Sequence, residues 1–170
     1  MPPFLKWAGG KRKLVDAIIG AAPASFGRYL EPFVGGGAVA FALGYPTMLL
    51  NDANVELINV YRVVRNQLEE LLPLLDVHRD KHSQGYFYHV RAQNAADLST
   101  VEQAARFIYL NKTCFNGLYR VNKQGQFNVP FGRHKDPVLY HLATIQQAST
   151  ILQQSELFAQ DYLTFLKEHA

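Results

Sequence analysis

The chain is poor in the residues that most often announce a chemistry. One cysteine, Cys114, stands among 170 residues, which excludes an internal disulfide and a cysteine-ligated zinc cluster. A lone cysteine fits a reducing, cytoplasmic setting. No histidine and acid partnership surrounds it in sequence, so it reads as a buried thiol. His78 and His82 have i, i+4 spacing, but no acidic motif completes a metallohydrolase pattern. Both are expected on a solvated helix face, and no metal site is expected. No apolar run is long enough to span a membrane, and Met1-Pro2-Pro3-Phe4 opens no signal peptide. The charge excess is small: 17 basic against 14 acidic residues give +3, with a pI of about 9.0. That permits a nucleic-acid partner without requiring one. There is one tryptophan, and no repeat or low-complexity tract.

Two phosphate-binding signatures are also missing. Gly9-Gly10-Lys11-Arg12 lacks the first glycine of a phosphate loop, and Arg12 stands where its magnesium-binding hydroxyl belongs. Gly35-Gly36-Gly37 is not the spaced glycine pattern of dinucleotide enzymes, which argues against an oxidoreductase.

What is present has the texture of a globular α/β protein, 48% hydrophobic and 18% charged, with length for one domain and a subdomain. Residues 11–22 read as a helix with Leu14, Val15, Ile18 and Ile19 on one face, ended by Pro23. Residues 28–33 read as a strand, 37–44 as a helix, and 47–50 as a second strand ending at Asn51-Asp52. A strong helix follows over 54–72, interrupted by Pro73. Residues 76–100 are polar around Tyr86, Phe87 and Tyr88, and 101–110 is helical. Asn122-Lys123-Gln124-Gly125-Gln126 is a turn between two apolar-aromatic arms, predicting a hairpin. Residues 139–154 read as a helix and 157–159 as a third strand. Two βα units, a mostly helical insertion and a return to βα predict a sheet domain interrupted by a second domain.

The informative feature is Glu31-Pro32-Phe33-Val34-Gly35-Gly36-Gly37 between a strand and a helix. A glycine turn there brings backbone close to a nucleotide-like ligand. Phe4-Leu5-Lys6-Trp7-Ala8-Gly9-Gly10-Lys11 supplies a second glycine-rich wall, with Trp7 suited to a flat ligand part. Asp52, about twenty residues after the turn, is either an acceptor for ribose hydroxyls or a helix N-cap, a role Asn54 can equally take. Residues 111–135 alternate Lys112, Arg120, Lys123, Arg133 and Lys135 with aromatic residues. They read either as a hairpin entering a DNA groove or as a solvated hairpin with an aromatic inner face.

Together these segments resemble the adenine-specific DNA methyltransferases of the GATC-modifying (Dam-like) family. Its carriers are the two glycine segments, Asn51-Asp52-Ala53-Asn54, Tyr109-Leu110-Asn111-Lys112, Phe115-Asn116-Gly117-Leu118-Tyr119-Arg120 and Phe127-Asn128-Val129-Pro130-Phe131-Gly132-Arg133. The resemblance implies a Rossmann-like S-adenosylmethionine-dependent methyltransferase domain over 1–56 and 139–170. It implies an inserted helical and hairpin target-recognition domain over 57–138. Trp7, Lys11, Phe33, Gly35, Gly37, Asp52, Asp161 and Tyr162 would hold S-adenosylmethionine. Lys6, Phe115, Asn116, Arg120, Pro130, Arg133 and His134 would meet double-stranded DNA, with Phe115 and His134 standing where relatives often carry tyrosine. A restriction-modification role is among those the resemblance implies.

The family holds the target amine with an Asp-Pro-Pro-Tyr motif, whose oxygens orient the nitrogen while the tyrosine stacks on the flipped base. The only Pro-Pro here is Pro2-Pro3, so no catalytic residue is assigned. The sequence alone therefore suggests an enzyme incomplete at its C-terminus, with three strands and an exposed hydrophobic first edge. A complementing C-terminal chain is then an expected partner. The alternative is a non-catalytic DNA-binding or partner-binding module derived from such an enzyme.

Overall fold

The computed structural model describes all residues, Met1–Ala170. Three parallel strands, β1 (Tyr29–Glu31), β2 (Met48–Asn51) and β3 (Ser155–Phe158), form one sheet in the order β1-β2-β3. Glu31 pairs with Leu50, and Asn51 with Phe158, so the carboxyl ends of all three strands finish side by side. β2 is central and buried throughout, as an uninterrupted Met-Leu-Leu run between two parallel neighbours requires. Asn51 laces the strand ends together. Its Nδ2 donates to the carbonyls of Pro32 and Gln160 at 3.0 and 3.1 Å, and its Oδ1 accepts from the Gln160 N–H at 2.9 Å.

Eight helices surround the sheet: α1 (Val15–Gly20), α2 (Ala38–Leu43), α3 (Val55–Asn66), α4 (Leu68–Asp80), α5 (Gln84–Ala92), α6 (Thr100–Thr113), α7 (Leu142–Gln153) and α8 (Tyr162–His169). None is long and apolar enough to cross a membrane. α2 starts where the glycine turn predicts, between Gly37 and Gly44, both left-handed. Gly37 has no alternative: at φ +72° an added Cβ would lie 2.5 Å from Cε2 of Phe41.

α6 is the hub of the helical part. A capping box starts it: Ser99 Oγ accepts from the Glu102 N–H while the Glu102 carboxylate accepts from the Ser99 N–H. Its run from Ala104 to Asn111 is buried on every face. α3 packs on α6, on α7 and on β3. Residues 56 and 57, where the sequence places a domain boundary, both lie within α3. Arg62 and Arg65 of α3 donate to the Leu157 and Ser155 carbonyls at 3.1 Å each, meeting hydrogen-bond needs of an edge strand.

Several elements differ from their sequence reading. The first helix is split into a 3-10 turn (Lys11–Lys13) and the short α1, and Leu14, Ile18 and Ile19 are exposed. The long helix breaks at Gln67, whose φ and ψ of −138° and 35° are not helical, rather than at Pro73. Pro73 lies inside α4, where Leu71 and Leu75, both fully buried, anchor the helix on either side of it. Each such burial contributes about 1.5–3 kcal/mol, enough to offset much of one proline's cost. The predicted hairpin reduces to two isolated bridges, Val121 with Phe127 and Cys114 with Phe131. Its turn is closed by Asn122, whose side-chain oxygen accepts from the N–H groups of Gln124 and Gln126.

Candidate ligand hollow and nucleic-acid face

A hollow of about 270 Å³ opens at the carboxyl ends of β1 and β2, the place where open parallel sheets receive ligands. Trp7, Lys11, Phe33, Gly35 and Asp52 line it, joined by Glu31 and Ala38, which the sequence reading had not assigned to the site. Glu31 opens the glycine motif, and that position was the available signal.

Asp52 orders the floor. One carboxylate oxygen accepts from the Gly35 N–H at 3.0 Å, the other from the Asn54 N–H at 2.9 Å. The α3 N-cap is Asn54, whose side chain accepts from the Leu57 N–H at 3.1 Å, so Asp52 is free of that duty. The Tyr61 hydroxyl, buried under the turn, donates to the Gly35 carbonyl. Gly35 is thus held by both its N–H and its C=O, at φ +49° and against the Trp7 ring, 2.7 Å from where a Cβ would stand. Trp7 is stacked in turn on Tyr119 and Phe107, at centroid distances of 5.7 and 6.3 Å. On the wall, Lys11 Nζ lies 3.7 Å from a carboxylate oxygen of Glu31. Burial raises the Glu31 pKa, opposed by the Tyr29 hydroxyl, which donates to it at 3.0 Å, and by Lys11.

Other residues expected at the hollow stand elsewhere. Gly37 is the helix cap beneath it. Asp161 caps α8, accepting from the N–H groups of Leu163 and Thr164. Tyr162 meets the rim through the exposed Phe33, ring centroids 5.0 Å apart.

The basic segment divides into two surfaces. Lys6 and Asn116 flank a second hollow of about 440 Å³ with Arg12 and Lys112, sharing Trp7 and Gly36 with the first. Pro130, Arg133 and His134 line a third, of about 650 Å³, with His82 and Lys135. The Phe115 N–H donates to the Pro130 carbonyl at 2.9 Å and joins the two, while the Phe115 ring is exposed. Arg120 faces neither hollow: its guanidinium is tied to the side chain and backbone of Asn128. Asn116 and Arg133 have left-handed backbones, with φ of 54° and 59°.

Asn111 joins the two walls. Buried near the end of α6, it accepts from the Lys6 N–H at 2.9 Å and donates to the Lys6 carbonyl at 2.7 Å and to the Gly117 carbonyl at 3.4 Å. His78 and His82 are not on a solvated face: His78 Nδ1 is 2.8 Å from the Tyr86 hydroxyl and His82 Nδ1 is 2.8 Å from that of Tyr109. Burial, with Lys81 nearby, lowers the His78 pKa to about 4. Cys114 is buried, and desolvation raises its thiol to about 11, as an inert core thiol requires.

Lys112, on the second hollow, is a half-buried cation. Desolvation, then repulsion from Lys6, lowers its pKa from 10.5 to about 8. Between those values the unfolded chain holds a proton the folded chain has lost, so this group makes stability rise with pH. The stability difference between wild type and Lys112→Met is expected to shift in favour of wild type from pH 7.5 to 9.5, as read by urea unfolding at each pH.

The model of the D12 class N6 adenine-specific DNA methyltransferases matches residues 7–170. The chain belongs to that family. It is 40% identical over 159 residues to the "Type II methyltransferase M1.LlaDCHI" of Lactococcus lactis subsp. cremoris, covering 91% of this chain and 56% of the relative. It is 38% identical over 179 residues to the "Type II methyltransferase M.MjaIII" of Methanocaldococcus jannaschii, covering 94% and 62%. With the "DNA adenine methylase" of Haemophilus influenzae it shares 40% identity over 137 residues, covering 78% and 48%. This D12-family chain thus spans about half the length of the curated relatives it matches.

Proposed function

We propose that this chain forms the cofactor-binding and target-recognition parts of a DNA adenine methyltransferase. Methyl passes from S-adenosylmethionine to the exocyclic amine of adenine, with GATC as the recognised sequence. The observation that carries the reading is the Asp52–Gly35 contact on the floor of a hollow walled by Lys11 and Glu31. On this reading residues 1–56 and 139–170 form a Rossmann-like domain and 57–138 the recognition insertion, in a cytoplasmic enzyme.

The residues fit the cofactor. Each Asp52 oxygen holds one N–H and retains acceptor capacity, which a ribose diol satisfies. Lys11 and Glu31 present opposite charges side by side, matching the carboxylate and ammonium of the methionine part. The Phe33–Tyr162 pair offers an aromatic edge to the adenine ring, and Asp161 secures the helix that carries Tyr162. Gly35 and Gly37 let the backbone pass beneath, and Trp7 closes the side. The bound cofactor supplies an electrophilic methyl group on a sulfonium. Lys6, Asn116, Arg133 and His134, with the exposed Phe115 and Pro130, face outward as a duplex-reading surface, and Arg120 presents the edge of its Asn128-bound fork. GATC rests on the resemblance of residues 115–120 and 127–133 to the Dam-like pattern.

Titration calorimetry of the 170-residue chain with S-adenosylmethionine and, separately, with a GATC duplex tests this. Both are expected to bind, and the duplex more weakly as salt increases. Binding of duplex without cofactor would instead mark a recognition module; binding of neither would overturn the proposal.

A further inference from the structure

We propose that His82 is a positioning residue for duplex recognition, clamping the backbone of His134 and so fixing the 130–135 loop for contact with DNA. The inference rests on the DNA-binding reading above. His82 Nε2 lies 2.9 Å from the His134 carbonyl oxygen, and Nδ1 lies 2.8 Å from the Tyr109 hydroxyl. A carbonyl only accepts, so Nε2 carries the proton and donates to His134, while Nδ1 shares a hydrogen bond with the Tyr109 hydroxyl. Tyr109 is a fixed post: it is fully buried on α6, and the His78 ring stacks on it at 4.9 Å. The clamp therefore refers the loop to the most buried helix of the protein.

The loop needs that second attachment. Its first half is pinned by the Pro130 carbonyl, which accepts from the Phe115 N–H, and by the Gly132 N–H, which donates to the Thr113 carbonyl, both at 2.9 Å. Gly132 sits so close to α6 that an added Cβ would be 2.5 Å from the Cys114 carbonyl oxygen. The next residue, Arg133, has φ of 59°, a conformation that a residue with a Cβ adopts at an energetic cost. Gly132 holds the backbone before Arg133, and His82 holds it after. With both in place the exposed Arg133 side chain has a defined origin above the third hollow.

Three forms of the chain test this: wild type, His82→Ala, and His82→Gln, whose Nε2 reproduces the donor to His134. Backbone amide exchange over 131–135 is read together with binding to two labelled duplexes, one containing GATC and one scrambled. His82→Ala is expected to speed exchange about tenfold and weaken GATC binding about five- to tenfold, the scale of one hydrogen bond. Scrambled-duplex binding, which depends on phosphate charge, is expected to stay within about twofold. His82→Gln restores most of both, and S-adenosylmethionine affinity is the same in all three. Unchanged exchange in His82→Ala overturns the clamp. Equal loss on both duplexes, or parallel loss of cofactor affinity, overturns a positioning role. If wild type binds neither duplex, the DNA reading fails and takes the assigned purpose with it, while exchange still decides whether His82 holds the loop.

Discussion

Asp52→Ala is expected to weaken S-adenosylmethionine binding roughly a hundredfold, about 3 kcal/mol, the scale of two lost charge-assisted hydrogen bonds. The substitution acts twice. It removes the acceptor for the ligand's hydroxyls, and it releases the Gly35 and Asn54 N–H groups that Asp52 now holds. Gly35 then loses one of its two restraints and keeps only the bond from Tyr61. Asp52→Asn separates the two effects. It is isosteric and keeps one acceptor, but it sets an NH2 group against one of those N–H groups, so a loss of about tenfold is expected. Calorimetry on both variants reads the result. Affinity within about twofold of wild type in Asp52→Ala would remove Asp52 from the site.

Asn111→Ala is expected to cost about 3 kcal/mol of folding stability, as a lower urea midpoint at unchanged slope. The side chain serves Lys6 and Gly117 with three hydrogen bonds. Its removal leaves the Lys6 N–H and C=O without their partner and opens a void at the end of α6. Asn111→Asp keeps the volume and the acceptor but turns lone pairs toward two carbonyls, so it is expected to be no better than alanine. A loss below about 1 kcal/mol in both variants would show that water replaces these bonds without cost. Because Trp7 follows Lys6, the alanine variant is also expected to lose cofactor affinity.

These two residues mark the division between what the sequence discloses and what it hides. The glycine turn, α2 and the place of Asp52 were legible because their logic is local: left-handed glycines, an apolar run and an acid at a strand end lie within a few residues of one another. Asn111 acts on Lys6 at a separation of 105 residues, and no window along the chain contains both. His82 is hidden for the same reason: its partners, Tyr109 and His134, lie 27 and 52 residues away, and the i, i+4 spacing with His78 suggests a shared helix face although α4 ends at Asp80, before His82. Local propensity makes Pro73 a breaker, while burial of Leu71 and Leu75 keeps it inside α4. The break at Gln67 was invisible because apolar periodicity runs through it. Glu31 stays silent in the sequence, since a strand-end acid declares a pocket only once Lys11 is seen across from it.

The stacking of Trp7 has a practical consequence. It is the chain's one tryptophan, and it stands between the glycine turn on one side and Tyr119 and Phe107 on the other. Its intrinsic emission therefore reports on the wall shared by the two hollows. The unlabelled protein carries its own optical gauge of that wall.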